Sequence, residues 1–223
     1  MKIIEFAGLP GCGKSTLCKS FIAEKFPQKV YTYKDIIRFV STKNRRKIYG
    51  IYARVNPFRW KLLKLLKAFS EKYDNISPQA VFILIALYDF TSVLQIFKKN
   101  SIVVLDEGFV QNITSIAHLQ PINEDKELND LVKYIQAKKN LFLVNCSADT
   151  DTVVERIRKR NGKDRFNSIT DNKDLKNALS IKQDNITKVA KAFGTSVDVC
   201  LNTSTNDALK QLILSIDKSE VAE

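Results

Sequence analysis

The sequence predicts a three-layer α/β domain, with a parallel sheet between two layers of helices. Three observations carry this. Five short apolar runs rich in β-branched residues recur along the chain, helical patterns separate them, and a glycine-rich segment joins the first run to the first helical pattern. The 223 residues, 44% hydrophobic and 27% charged, suit one domain, 1–223, with its own core.

Each element has a local reason. The runs Ile3–Ala7, Val30–Tyr33, Ile102–Asp106, Leu141–Cys146 and Val197–Leu201 read as buried strands, bounded by turn or polar residues. The first helix is expected from Gly13 to about Lys25. A long helical insert, about 35–99, lies between the second and third strands, punctuated by Pro57 and Pro78. Ser77-Pro78 opens its apolar helix, Gln79 to Phe97. Helices follow Asp106 and span Glu124–Lys138. Thr152 and Glu155 are spaced as a capping box for a helix from Thr152 to Arg160, whose Val153 and Ile157 face the core and which Asn161-Gly162 stops. The last helices are expected near Lys173–Ala192 and Thr205–Ile216, and the tail Asp217–Glu223 frays.

Composition excludes several classes. Cys12, Cys18, Cys146 and Cys200 form no C-x-x-C pair and His118 is the only histidine, which argues against a zinc site. Free thiols in a reducing compartment are the simpler reading, so a cytoplasmic location is expected. No run of eighteen apolar residues marks a transmembrane helix, and Met1–Phe6 is not a signal peptide. The formal charge of +12 attracts anions, and its basic stretches run from Lys43 to Lys67 and from Arg156 to Arg165. In segment 57–73, Trp60, Leu62, Leu63, Leu65, Leu66 and Phe69 alternate with lysines and arginine. A peripheral membrane contact fits that stripe, but a core-facing helix with lysines outward is the commoner cause.

Three groups of residues carry chemistry. Gly8-Leu9-Pro10-Gly11-Cys12-Gly13-Lys14-Ser15-Thr16 is a phosphate-binding P-loop pattern between a strand-like and a helix-like run. Its glycines let consecutive N–H groups turn toward a β-phosphate, Lys14 reaches the β- and γ-phosphates, and Ser15 supplies a hydroxyl to magnesium. Asp106 ends a buried strand and is read as the second magnesium residue, facing Ser15, with Glu107 beside it as base or acceptor-orienting group. Arg156, Arg158, Arg160 and Arg165 form a basic helix end and flap; Arg156 and Arg160 share one helix face. A flap of this kind closes over ATP and brings guanidinium groups to the phosphates. Asp35, Arg38 and Gln111 are candidates for an acceptor pocket outside the strand ends. Glu5 is an acid inside the central strand, needing a buried partner or an opening to the site.

The stretch Asp149 to Phe166, with its four arginines and Asp164, resembles the lid segment of bacterial thymidylate kinases, and Phe6 through Thr16 resembles their P-loop. The resemblance implies a P-loop NTPase fold with strand order 2-3-1-4-5, a lid over about 156–170, and ATP and magnesium as cofactors. It stops at the acceptor. Those kinases carry an Asp-Arg pair where Asp106-Glu107 stands, and an Arg-Glu-Pro-Gly stretch where this chain has Tyr33-Lys34-Asp35. An acid at 107 repels a monophosphate and suits an unphosphorylated hydroxyl acceptor, such as a nucleoside or sugar. The reading is therefore a kinase-like phosphotransferase. The alternative is a P-loop ATPase with a regulatory or nucleic-acid-associated role, for which the charge of +12 and Glu107 speak. A homodimer is compatible with the sequence and not specified by it.

Overall fold

Ile3, Ile4, Phe6 and Ala7 have essentially no exposed surface, which puts β1 (Lys2–Gly8) at the centre of the sheet. Its neighbours are β3 (Ile102–Leu105), with Ile3 opposite Val103, and β4 (Leu141–Ser147), with Ile3 opposite Leu141. β2 (Tyr31–Thr32) and β5 (Ser196–Cys200) complete an all-parallel sheet of order β2-β3-β1-β4-β5. The chain goes to opposite sides of β1 after its first and third crossovers, so a crevice opens at the carboxyl ends of β1, β3 and β4. In this computed structural model, residues 1–26, 30–35, 38, 57–98, 100–159, 166, 168–194, 196–202 and 207–214 are described.

Alternation along β1 sorts the helices. Phe6 points to the face covered by α1 (Lys14–Lys25), where its ring lies 5.6 Å from that of Phe21. Glu5 points to the other face, covered by α4 (Phe109–Ile116) and α7 (Asn172–Phe193). Full burial of a side chain such as Leu17 or Phe21 contributes roughly 1.5–3 kcal/mol, so α1 is held mainly by that one face.

The insert folds as expected where it is described. Pro57 begins α2 (Pro57–Ser70), and Pro78 begins α3 (Pro78–Phe97), whose Ser77 cap accepts a hydrogen bond from the Ala80 N–H at 3.3 Å. α2 buries Leu62, Leu66 and Phe69 and turns Lys61, Lys64 and Lys67 outward. Trp60 departs from the expected apolar stripe: it is 55% exposed, because its helical position falls among the lysines. α3 is long and apolar enough to cross a membrane, with a mean hydropathy of 1.6, although the sequence has no uninterrupted apolar run. Half of it is buried here, and Asp89 within it is fully buried against Arg59 (Nε to Oδ2 3.0 Å), which is how a core helix behaves.

Several boundaries move. β2 keeps only two residues, and 33–35 are already helical. β3 ends at Leu105, which frees Asp106 into the turn. The capping box at Thr152 is not used. Asp149, delivered by the end of β4, accepts from the Asp151 and Thr152 N–H groups at 3.0 and 3.1 Å, so α6 (Thr150–Lys159) begins two residues earlier. α5 (Lys126–Gln136) is shorter at both ends than Glu124–Lys138, with Asp125 as its N-cap and Ala137 as its C-cap. Residues 207–214 are helical; 36–37 and 39–56 of the insert, Asn161-Gly162 and the tail lie outside the described residues. No disulfide joins the four cysteines.

Candidate active site

The loop after β1 is shaped by what cannot fit there. A Cβ on Gly8 would stand 2.4 Å from the Cys146 carbonyl oxygen, so only glycine lets β1 leave the sheet beside β4. Gly11 and Gly13 have φ of +86° and +107°, in the left-handed region that favours glycine. Gly13 is the N-cap of α1 and offers no side chain, and no acid occupies the first turn. The Gly13 carbonyl takes the Thr16 and Leu17 N–H groups at 3.0 and 3.1 Å, leaving earlier amides at a positive helix end. Lys14 is 8% exposed at this mouth. Pro10, Cys12, Ser15 and Thr16 complete the loop and the first turn.

The carboxylates follow β3, the strand that pairs with β1. Asp106 is partly buried and Glu107 exposed in the turn between β3 and α4. The Cys18 thiol, in the second turn of α1, is pushed up to about 12 by burial and then by the Asp106 charge. Ser15 lies one turn before Cys18 on the same helix face. Tyr33, at the end of β2, has its hydroxyl pKa raised by burial and by the charges of Glu107 and Asp106. Tyr33 thus belongs to the carboxylate cluster. Sequence reasoning missed it, since a lone tyrosine after a strand carries no motif.

The arginines divide by position on α6. Arg156 Nη1 donates to the carbonyl oxygens of Gly11 and Cys12 at 3.3 and 3.1 Å, bringing the end of α6 against the glycine loop. Arg158 faces elsewhere and ties the approach to α7, donating to the Ile169 and Thr170 carbonyls at 2.7 and 2.9 Å and to Asn172 Oδ1. Arg160 and Arg165, with most of the segment expected to form a lid, lie outside the described residues.

The acceptor candidates sit in different settings. Asp35 Oδ2 accepts from both the Thr32 N–H and its hydroxyl at 2.9 and 3.0 Å, so it fastens the turn after β2. Arg38 is exposed. Gln111 is 9% exposed, and its Oε1 is buried without a hydrogen-bond partner among the described residues. Behind it, Lys182 is fully buried and donates to Thr114 Oγ1 and Ser115 Oγ at 2.8 and 3.1 Å.

The residues present fit a magnesium nucleotide. The described residues hold no group of three or more His, Cys, Asp or Glu. Magnesium at phosphate sites needs no such cage, taking one or two protein oxygens plus phosphates and water. Ser15 and Asp106 are of that kind, and the left-handed φ of Gly11 and Gly13 gives the loop the curl that a phosphate cradle requires.

No protein-family model and no curated protein matches the chain. Solved structures do. A thymidylate kinase from Candida albicans matches over 100% of this chain and 93% of its own, at 17% identity and TM-score 0.53. Deoxyadenosine kinase from M. mycoides with bound dATP matches over 96% and 99%, at 14% identity and TM-score 0.51. An uncharacterized protein from Eubacterium ventriosum matches over 97% and 98%, at 14% and 0.51. At these identities the likeness is one of fold: the chain has the P-loop fold of the nucleoside and nucleotide kinases, as its P-loop and lid resemblance implied.

Proposed function

We propose that this chain, built on the fold of the nucleoside and nucleotide kinases, is an ATP- and magnesium-dependent phosphotransferase whose acceptor is a small molecule with a free hydroxyl. What supports the reading is that Arg156 donates to the Gly11 and Cys12 carbonyls of the glycine loop, while the Asp106 charge acts on Cys18 of the helix that follows that loop. Backbone amides of the loop and Lys14 would neutralise the phosphates, and Ser15 and Asp106 would hold magnesium, which supplies charge neutralisation there. Glu107, more exposed than Asp106, would accept the acceptor's proton. Arg156 anchors the lid's base on the loop, and Arg160 and Arg165 would bring cations from the lid. Partners are then a nucleotide and a nucleoside, nucleotide or sugar acceptor, with the unphosphorylated ones favoured by Glu107.

Incubation with magnesium-ATP and a panel of nucleosides, nucleoside monophosphates and sugars, read by product mass, tests this. Transfer to a hydroxyl acceptor is expected. Phosphate release at one rate with or without acceptors would establish the ATPase instead, which the exposure of Glu107 to water also fits.

A further inference from the structure

Glu5 has no exposed surface, yet it stands in the middle of the central strand, opposite Leu105 of β3 and Leu143 of β4. An apolar residue there would cost less to bury. The acid's surroundings explain its presence. Gly108 is the N-cap of α4 and supplies no side-chain cap, so the first-turn amides of that helix have none of their own. Glu5 provides it from another element. Its Oε1 accepts the Gln111 N–H at 3.1 Å; burial raises its pKa to about 7, and the amides of Gln111, Val110, Phe109 and Gly108 oppose that rise by favouring the ionised form. A Cβ on Gly108 would stand 2.4 Å from Glu5 Cδ and 2.5 Å from Oε2, so the turn packs directly on the carboxyl group. Oε2 is buried with no hydrogen-bond partner among the described residues.

A serine or aspartate at 108 would cap α4 locally. A cap reaching from β1 does something a local cap cannot. It ties the position of the 106–108 turn to the strand that runs, three residues later, into Gly8 of the phosphate loop. We infer that Glu5 is a positioning residue, whose carboxyl group sets the Asp106–Glu107 turn against the P-loop. This rests on the phosphotransferase reading, in which Asp106 serves magnesium and Glu107 the acceptor. Glu5 itself touches neither; it acts through the backbone of Gly108 and the first turn of α4.

The test compares wild type with Glu5→Gln, which keeps the volume and one acceptor oxygen. Three quantities are measured: kcat and the nucleotide KM, the magnesium concentration at half-maximal rate, and hydrogen exchange at the amides of 108–111. Expected are a fall in kcat or a rise in the magnesium requirement of about tenfold or more, a nucleotide KM within about threefold, and faster exchange confined to 108–111. The melting temperature at pH 8 should not fall, because a buried amide carries no charge. Unchanged kcat, magnesium requirement and exchange would overturn the inference, and so would a loss of activity that merely follows a loss of global stability. If wild type transfers phosphate to no acceptor, the phosphotransferase reading fails by itself. Exchange at 108–111 then still decides whether Glu5 holds the turn.

Discussion

The two sides of the crevice are built from different materials. On the proposed reading the donor side would be mostly backbone: three glycines, a helix start and carbonyls held by Arg156. The acceptor side would be assembled from side chains on separate elements: Tyr33 and Asp35 after β2, Glu107 after β3, Gln111 on α4. A phosphate chain is the same in every nucleotide, so a backbone cradle serves for all of them. An acceptor varies, and only side chains can be exchanged without rebuilding the loop. The donor half should therefore be intolerant of single changes and the acceptor half tunable.

The largest effect is expected on the donor side. Lys14→Ala should lower turnover about a thousandfold with the fold intact, since a charge contact to the transferring group is lost. Steady-state kinetics and a thermal melt check both halves of that statement. Turnover within threefold of wild type would remove the basis for treating the loop as a phosphate site.

Next is the acceptor side. Glu107→Gln should slow single-turnover transfer about a hundredfold while ATP binding changes little, as for a lost general base. Wild-type rates in that assay would make Glu107 structural and weaken the case for a hydroxyl acceptor.

A smaller effect separates two arginines two residues apart. Arg156→Ala should weaken nucleotide binding about tenfold, because the carbonyls of Gly11 and Cys12 lose the donor that orients them. Arg158→Ala should leave turnover nearly unchanged while making 169–172 more sensitive to protease, since its bonds all go there. Equal kinetic effects from the two would contradict the division of α6 into a loop-facing and an outward side.

The same contrast explains what the sequence revealed. The strand runs, Gly8–Thr16 and the proline-started helices are local patterns, and local backbone requirements fix them. The order of the strands came only through resemblance, because pairing between β1, β3 and β4 is decided across long separations. Tyr33 was invisible because its neighbours Glu107 and Asp106 are distant in sequence. Glu5 was noticed as an anomaly but could not be explained, since its partners are main-chain amides more than a hundred residues away. Trp60 and Thr152 went astray for simpler reasons: Trp60 falls on the lysine side of its helix, and the cap moved to Asp149 when α6 began two residues earlier.

A third region supplies a change that should leave turnover alone. Lys139 lies at the amino end of β4, at the opposite end of the sheet from the phosphate loop, and is 3% exposed. Its ammonium donates to Ser92 Oγ and Gln95 Oε1 at 2.6 and 3.0 Å and lies 4.6 Å from the centre of the Tyr88 ring. Burial brings its pKa down from 10.5 to about 7, opposed by the Asp89 charge. Between those values the unfolded chain carries a proton at this site that the folded protein lacks. Stability should therefore rise with pH across the window from about 7 to 10.5, and below pH 7 the full cost of burying the charge is present. The shift sets a ceiling of about 5 kcal/mol on that cost. Lys139→Met removes the charge and keeps most of the volume, but leaves Ser92 and Gln95 without their donor, a loss of about 1–3 kcal/mol at any pH. The variant should thus compare best with wild type at pH 6 and worst at pH 10, when unfolding free energies are measured in urea. kcat should stay within about twofold throughout, as expected of a surface-distant core change that leaves the site's geometry alone. A stability difference that does not vary with pH would mean that Lys139 keeps its proton in the fold, and a fall in kcat would join this end of the sheet to the site.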